Sequence, residues 1–140
     1  MIGILIISHG TLGEALIQCA GHVLNKLPPR VTQLSVTALD DPLQLLPQAR
    51  KLVRELDEGD GVLILSDIYG GSPANIAGKL LIPGKVEGVA GVNLPMLIRV
   101  LTYRDRSLQT IVTKAVSGGC DGVVRIPVPA LVVSNAATGS

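Results

Sequence analysis

Two polar residues and a glycine-rich turn carry the clearest chemical signal in this sequence. His9 follows the continuous apolar run of residues 2–8, and Asp67 follows a second apolar run at residues 62–66. Continuous apolar runs of this length indicate strands that are buried on both faces of a parallel sheet. Residues 70–72, with the sequence Gly-Gly-Ser, come just after Asp67 and precede a predicted helix. Backbone N–H groups at such a turn favour an anion.

An acidic residue beside an anion site is unfavourable unless it orients a nucleophilic or cationic group. A carboxylate at Asp67 that accepts the Nδ1–H of His9 would fix the imidazole tautomer and leave Nε2 free as a nucleophile. Gly70, Gly71 and Ser72 could then hold the oxygens of a phosphoryl group on Nε2. Phosphoryl transfer is mostly positioning and electrostatic stabilisation, so we expect neither a metal ion nor a cofactor.

The alternation of strands and helices predicts four βα units and an α/β fold. The predicted strands cover residues 2–8, 31–39, 62–66 and 86–92. The first and third strands are the most apolar, so we expect an open, mostly parallel sheet in the order 2-1-3-4, with helices on both faces. Ligands bind such sheets beyond the carboxyl ends of the strands, where the strand order reverses. This is where His9 and Asp67 would meet.

Capping residues mark the predicted helix starts. Thr11 and Glu14 have the spacing of a capping box, and Asp41 can cap a helix that has a proline as its first residue. Ser72 is the expected N-cap of the helix after the glycine turn. Pro47 is awkward inside the second helix, so that helix is expected either to be distorted in its first turn or to begin near Pro47.

The C-terminal part of the chain is predicted less regularly. Helices are expected at residues 73–81, 95–103 and 108–116, and Gly118 and Gly119 are expected to end the last one in the left-handed conformation. Residues 122–128 could form a short strand whose prolines favour a sheet edge. Residues 135–140 are small and polar, which predicts disorder.

Composition narrows the functional classes. The chain has 140 residues, a length that suits one domain, and its net charge of +1 gives no support for nucleic-acid binding. Cys19 and Cys120 have no metal-binding spacing, and we expect both to be reduced core thiols. No apolar run reaches the roughly 18 residues of a membrane span, and no signal peptide is recognisable, so a cytoplasmic location is expected. His22 is interpreted as a structural residue.

Three sequence blocks together resemble the IIA domain of the mannose-type sugar phosphotransferase system, a family with fructose- and sorbose-type members. The blocks are Ile-Ile-Ser-His-Gly at 6–10, Asp-Ile-Tyr-Gly-Gly-Ser-Pro-Ala-Asn at 67–75 and Gly-Val-Asn-Leu-Pro-Met-Leu at 91–97. The resemblance covers residues 1–125. It implies a phosphocarrier domain at residues 1–126, followed by a partly disordered tail at residues 127–140.

The resemblance also implies roles and partners. His9 would accept a phosphoryl group from phosphohistidine on the carrier protein HPr and pass it to a separate IIB component. Asp67 would pair with His9, Ser72 would contact the phosphoryl group, and Asn93 would shape the pocket or the partner surface. Members are typically homodimers that exchange a C-terminal strand, for which residues 122–128 are the matching segment. The protein would be at most peripheral to a membrane transporter.

Other interpretations stay open at this point. Some members of the family are regulatory modules that bind target proteins according to their phosphorylation state, and the motif is the same in both uses. A nucleotide-binding domain is a weaker alternative, because no dinucleotide-binding or P-loop glycine motif follows a strand. Tyr69 could flank the pocket or pack against it.

Overall fold

The computed structural model describes residues 1–130 and contains four strands and five helices in that part of the chain. The strands are β1 (Gly3–His9), β2 (Val31–Val36), β3 (Val62–Ser66) and β4 (Val86–Ala90). The helices are α1 (Leu12–Leu24), α2 (Pro42–Leu56), α3 (Ser72–Gly78), α4 (Leu94–Thr102) and α5 (Leu108–Asp121).

The four strands form one parallel sheet in the order β2-β1-β3-β4, which confirms the predicted fold class and strand order. β1 and β3 are neighbours, and Ile7 of β1 lies opposite Ser66 of β3. The residues that follow these two positions therefore emerge at the same edge of the sheet. The carboxyl ends of β1 and β3 therefore lie side by side, at the position in the sheet where the strand order reverses.

Helices cover both faces of the sheet. Side chains alternate along β1, so Ile4 and Ile6 pack in the core under α1, α4 and α5, whereas Leu5 and Ile7 pack in the core on the α2 and α3 side. All four side chains are fully buried. Each such burial contributes about 1.5–3 kcal/mol. The continuous apolar run of β1 thus reflects two cores rather than one, and it holds the strand that carries His9 in the middle of the molecule.

The predicted capping box of α1 is absent, the predicted Asp41 cap of α2 is confirmed, and of the two alternatives for Pro47 a helix start near that residue is excluded. Thr11 is the N-cap of α1, but its φ of −96° and ψ of 9° are not the extended values of a capping residue, and its side chain makes no capping hydrogen bond. The capping box with Glu14 is therefore not formed. Asp41 does cap α2, because its carboxylate accepts the N–H of Leu43 at 3.0 Å. α2 is continuous from Pro42 to Leu56 with Pro47 inside it, so the helix does not begin near Pro47.

Gly118 and Gly119 do not end α5 but lie inside it, so the predicted left-handed termination was wrong. Both glycines are at the contact between α5 and α4. A Cβ on Gly118 would lie 2.8 Å from Cβ of Arg99, and one on Gly119 would lie 2.8 Å from Cε of Met96. Small size, rather than backbone freedom, explains these glycines.

Residues 123–129 form no regular secondary structure, so the predicted strand at 122–128 is absent from the fold of the single chain. Its branched side chains are exposed, including Ile126 at 89%. Within residues 1–130, β4 pairs with β3 alone among the four strands. The predictions for residues 131–140 fall outside the described part of the chain.

The prediction that both cysteines are core thiols was wrong. Cys19 and Cys120 are free and exposed. Apolar residues repeat along one side of α1, but this spacing does not show which of them face the core. Leu16 and Ala20 are buried, whereas Cys19 lies on the adjacent exposed side. None of the helices described is both long and apolar enough to cross a membrane.

Candidate functional site

His9 is the last residue of β1, and its side chain is exposed at the carboxyl edge of the sheet. The preceding β1 residues are buried, whereas the His9 side chain is 54% exposed. Gly10 follows with a φ of +53°, a conformation that glycine adopts without strain. The Gly10 N–H donates to the carbonyl of Val36 at the end of β2. The chain therefore turns sharply after His9 and leaves the imidazole accessible.

Asp67 is the residue directly after β3, and it holds both the backbone and the side chain of His9. Its Oδ2 accepts the backbone N–H of His9 at 2.9 Å and lies 2.8 Å from Nδ1 of the imidazole. Its Oδ1 accepts the N–H of Ile68 at 2.8 Å. The Asp67 side chain is only 12% exposed. Both oxygens of the carboxylate are thus fixed, and the orientation of the ring is fixed with them.

The protonation state of this pair follows from the surroundings of Asp67. Partial burial acts to raise the pKa of the Asp67 carboxyl, but hydrogen bonds from the backbone and ring of His9 and from Ile68 outweigh it and hold the pKa below its ordinary value. An ionised carboxylate can only accept hydrogen bonds. Nδ1 of His9 must therefore carry the proton in the Nδ1–Asp67 bond, and in the neutral ring Nε2 has the free lone pair.

The glycine turn lies against the side of the imidazole that carries Cε1 and Nε2. A Cβ on Gly71 would lie 3.2 Å from Cε1 and 3.7 Å from Nε2 of His9. Gly70 has a φ of +92°, which a residue with a side chain adopts only under strain. The two glycines therefore have different uses: Gly70 makes the turn, and Gly71 lets the backbone approach the ring.

The prediction that Ser72 is the N-cap of α3 was wrong. The N-cap is Gly71, with no side-chain capping bond, and Ser72 is the first residue of the helix. The reason is that the extended backbone of Gly71 (φ −87°, ψ 173°) already provides the turn into the helix. The Ser72 hydroxyl is accordingly not used as a cap.

Asn93 lies at the same edge of the sheet, in the turn after β4, but its side chain serves the fold. Its Oδ1 accepts the N–H of Met96 at 2.9 Å as the N-cap of α4, and its Nδ2 donates to the carbonyl of Gly119 at 3.2 Å. Both polar atoms are thus used in joining α4 to α5. Among the residues that the structure describes, no hydrogen bond joins Asn93 to His9 or Asp67.

No role was predicted for Ile68 from the sequence, and two roles were left open for Tyr69. Ile68 fixes Asp67 through its N–H, and its Cγ2 lies 3.3 Å from the position of a Cβ on Gly71. A backbone donor carries no signal in residue type, so sequence reasoning could not find it. Tyr69, for which two roles were open, is 89% exposed. Within residues 1–130, no cluster of three or more histidine, cysteine or acidic residues could hold a metal ion.

Comparison with known proteins gives one consistent family. The family model of the fructose IIA component of the phosphotransferase system matches residues 3–116. The mannose-specific EIIAB component of Escherichia coli is 34% identical over 125 residues, which cover 87% of this chain and 38% of that protein. The fructose-specific EIIA component of Bacillus subtilis is 28% identical over 106 residues, covering 75% of this chain and 72% of that protein.

Solved structures agree on the fold. The mannose/sorbose-specific IIA subunit from Enterococcus faecalis superimposes with a TM-score of 0.81 at 22% identity, covering 91% of this chain and 96% of that subunit. The chain spans well under half of the E. coli EIIAB protein. The sequence blocks, the parallel 2-1-3-4 sheet and the family match over residues 3–116 agree with one another. The chain belongs to the mannose/fructose IIA family of the sugar phosphotransferase system.

Proposed function

We propose that this protein is a phosphocarrier that accepts a phosphoryl group on Nε2 of His9. The observation that carries the proposal is the bond between Nδ1 of His9 and Oδ2 of Asp67 at 2.8 Å, which leaves Nε2 as the nucleophilic nitrogen of an exposed ring. The donor is phosphohistidine on HPr, and the acceptor is a cysteine or histidine of a separate IIB component. The family membership supports these partners.

The transfer needs only groups that this site contains. The Nε2 lone pair attacks phosphorus, the P–N bond of the donor phosphohistidine breaks, and the donor imidazole leaves with the electron pair of that bond. The new phosphoimidazole of His9 carries positive charge on its ring, which the Asp67 carboxylate stabilises at Nδ1. Transfer to IIB is the same exchange with His9 as the leaving group.

The phosphoryl oxygens are held by the turn between Asp67 and α3. Gly71 is the glycine against the Nε2 side of the ring, and the exposed Ser72 hydroxyl follows it. Backbone N–H groups of Gly70, Gly71 and Ser72 supply donors for the phosphoryl oxygens, with the Ser72 hydroxyl as a further donor. No step in this scheme uses a metal ion.

The proposal includes a homodimer in which residues 122–128 of one protomer pair with the outer edge of β4 in the other, beyond the bridge that Val86 makes with Ile82. Two features support it. β4 has one strand neighbour within residues 1–130, and the segment exposes β-branched residues that suit a strand, among them Ile126 at 89%. Ile126→Asp should shift the mass measured by light scattering from dimer to monomer. A monomeric wild type, or an unaffected variant, would refute the exchange.

A labelling assay tests the function directly. The protein is incubated with phosphoenolpyruvate, enzyme I and HPr, and acid-labile phosphate is measured on the wild type and on His9→Ala. We expect label on the wild type alone. His22→Ala is the matched control, because it removes the other histidine of the chain and should be labelled normally. Equal labelling of His9→Ala would rule out His9 as the acceptor.

A further inference from the structure

A second recess, of about 220 Å³, lies between the C-terminal half of α2 and the segment that joins α3 to β4. Its lining combines cationic with apolar side chains, and within residues 1–130 no acidic residue lines it. The cations are Arg50, Arg54 and Lys79, and the apolar residues are Val53, Leu80, Leu81, Ile82 and Val86. We call these residues the basic groove. Val86 is the first residue of β4 and His9 is the last of β1, so the groove and the His9 site lie at opposite ends of the parallel sheet.

The floor of the basic groove is already formed in the free protein. Leu80 and Val86 are buried and belong to the core on the α2 and α3 side of the sheet. The N–H of Ile82 donates to the carbonyl of Val86 at 3.0 Å, and the N–H of Val86 donates to the carbonyl of Ile82 at 2.8 Å. Leu81 and Ile82 are 42% and 51% exposed, so apolar surface remains uncovered beside this fixed turn. A ligand would therefore cover apolar surface in a recess that needs no rearrangement.

The three cations of the groove have no carboxylate partner in the described part of the chain. None of the ion pairs within residues 1–130 includes Arg50, Arg54 or Lys79. Lys51 on the same helix differs, because its Nζ lies 3.9 Å from Oε1 of Glu55. Arg54 in the last turn of α2 and Lys79 at the C-cap of α3 are favoured by the helix dipoles. The dipoles do not explain Arg50, whose charge repels that of Arg54 one turn along the same face. A bound anion would compensate all three charges.

We propose that the basic groove binds a phosphate monoester with a short apolar body. Such a group carries nearly two negative charges at neutral pH and has three acceptor oxygens, which suits three cations from two walls. Arginine and lysine are both phosphate ligands in proteins. A single carboxylate would leave two of the cations uncompensated, and inorganic phosphate would leave the apolar floor uncovered. The inference goes beyond the proposed function, because it does not involve His9.

The size of the recess limits the apolar body. At about 30 Å³ for each water-sized group, 220 Å³ holds roughly seven heavy atoms, which is close to a hexyl chain. A recess of this size admits one chain. A bilayer surface would instead need an extended amphipathic face that lies in the membrane interface. The geometry therefore favours a single ligand in the groove over a lipid surface.

Titration of the protein with three compounds, followed by NMR of the backbone amides, tests the inference. The compounds are hexyl phosphate, inorganic phosphate and 1-hexanol. We expect hexyl phosphate to shift the signals of Lys79 and Ile82 and to bind at least about tenfold more tightly than the other two, because it alone uses both the cations and the apolar floor. With longer alkyl chains the affinity should stop rising once the recess is full. Hexyl phosphate that binds no more tightly than inorganic phosphate would overturn the inference.

Variants separate the groove from general charge attraction. Arg50→Gln combined with Lys79→Gln removes one cation from each wall and should weaken hexyl phosphate binding at least about tenfold. Ile82→Thr should weaken it about fourfold, the factor for one buried methylene, and leave inorganic phosphate unaffected. Lys51→Gln is the matched control, since it removes the same charge from α2 outside the groove, and it should bind normally.

Three results would overturn the assignment. The first is unchanged binding in the double variant, and the second is an equal loss in Lys51→Gln, which would indicate unspecific attraction. The third is binding to vesicles of phosphatidylglycerol and phosphatidylcholine without binding of hexyl phosphate, which would assign the groove to a membrane. Phosphoryl transfer to His9 should be normal in all these variants, so a failure of the groove and a failure of the proposed function are measured separately.

Discussion

Replacing Gly71 by alanine tests the close contact between the glycine turn and the imidazole. The added Cβ would lie 3.2 Å from Cε1 of His9 and 3.7 Å from Nε2. Carbon atoms in good contact are about 3.5–4.0 Å apart. The ring is not free to retreat, because Nδ1 is held 2.8 Å from Oδ2 of Asp67. Either the imidazole or the turn must therefore shift by a few tenths of an ångström.

The expected effect on transfer follows from this shift. A misplacement of about 1 Å in an active site can cost about 100-fold in rate, so a few tenths of an ångström should lower kcat/KM about three- to tenfold. Stability should change little, because the φ of −87° and ψ of 173° at Gly71 suit alanine. We expect the free energy of unfolding to stay within about 1 kcal/mol of wild type.

The assay compares Gly71→Ala with Gly78→Ala, using phosphoryl transfer from phospho-HPr and urea unfolding. Gly78 is the last residue of α3, and a Cβ there would meet nothing within 4 Å. This control should transfer normally and gain about 0.5–1 kcal/mol of stability, as expected for Gly→Ala in a helix. A normal kcat/KM in Gly71→Ala, or an equal loss in both variants, would refute the steric argument.

Three further predictions concern Asp67 and the packing of α5. Asp67→Ala should fold but transfer about 10²–10⁴-fold more slowly, the range typical of losing an orienting or acid–base group, and single-turnover transfer at wild-type rates would contradict the pairing. Because the pKa of Asp67 is lowered in the folded state, its stabilising contribution is present above the ordinary carboxyl pKa and is lost as the pH falls through the folded pKa. In urea titrations the wild type should therefore lose stability relative to Asp67→Asn below about pH 4, and parallel pH profiles would count against this. Gly118→Ala should lower the free energy of unfolding by about 1–3 kcal/mol, because the added Cβ would collide with Arg99. An unchanged midpoint of urea unfolding would contradict this, since it would mean that α4 and α5 can move apart without loss of stability.

The parts of the fold that depend on long apolar runs could be predicted from the sequence. β1 and β3 are buried on both faces, so their central position and the parallel order could be predicted from the apolar runs and from the alternation of strands and helices. His9 and Asp67 were then expected to meet, because each lies at the carboxyl end of one of the two central strands. The bond itself needed the structure, since nothing in residue type shows that one oxygen of Asp67 would hold both the backbone and the ring of His9.

The wrong predictions share a physical cause, which is that one residue type can serve several purposes. Glycine at positions 118 and 119 was interpreted as a helix end, but it permits close packing of α4. Serine at position 72 was interpreted as a cap, although the glycine before it fills that position. The amide of Asn93 likewise has a use that its residue type does not show, because it joins α4 to α5, and its expected role at the pocket or the partner surface stays a prediction. Each choice depends on tertiary neighbours that local sequence does not specify.

The most direct test of the central claim is to locate the phosphoryl group on the protein. After incubation with enzyme I, HPr and phosphoenolpyruvate, nitrogen-15 NMR of ring-labelled protein distinguishes the two imidazole nitrogens. The bond between Asp67 and Nδ1 predicts a phosphoryl group on Nε2 of His9, with Nδ1 still protonated. Phosphorylation at Nδ1, or on any residue other than His9, would contradict the account.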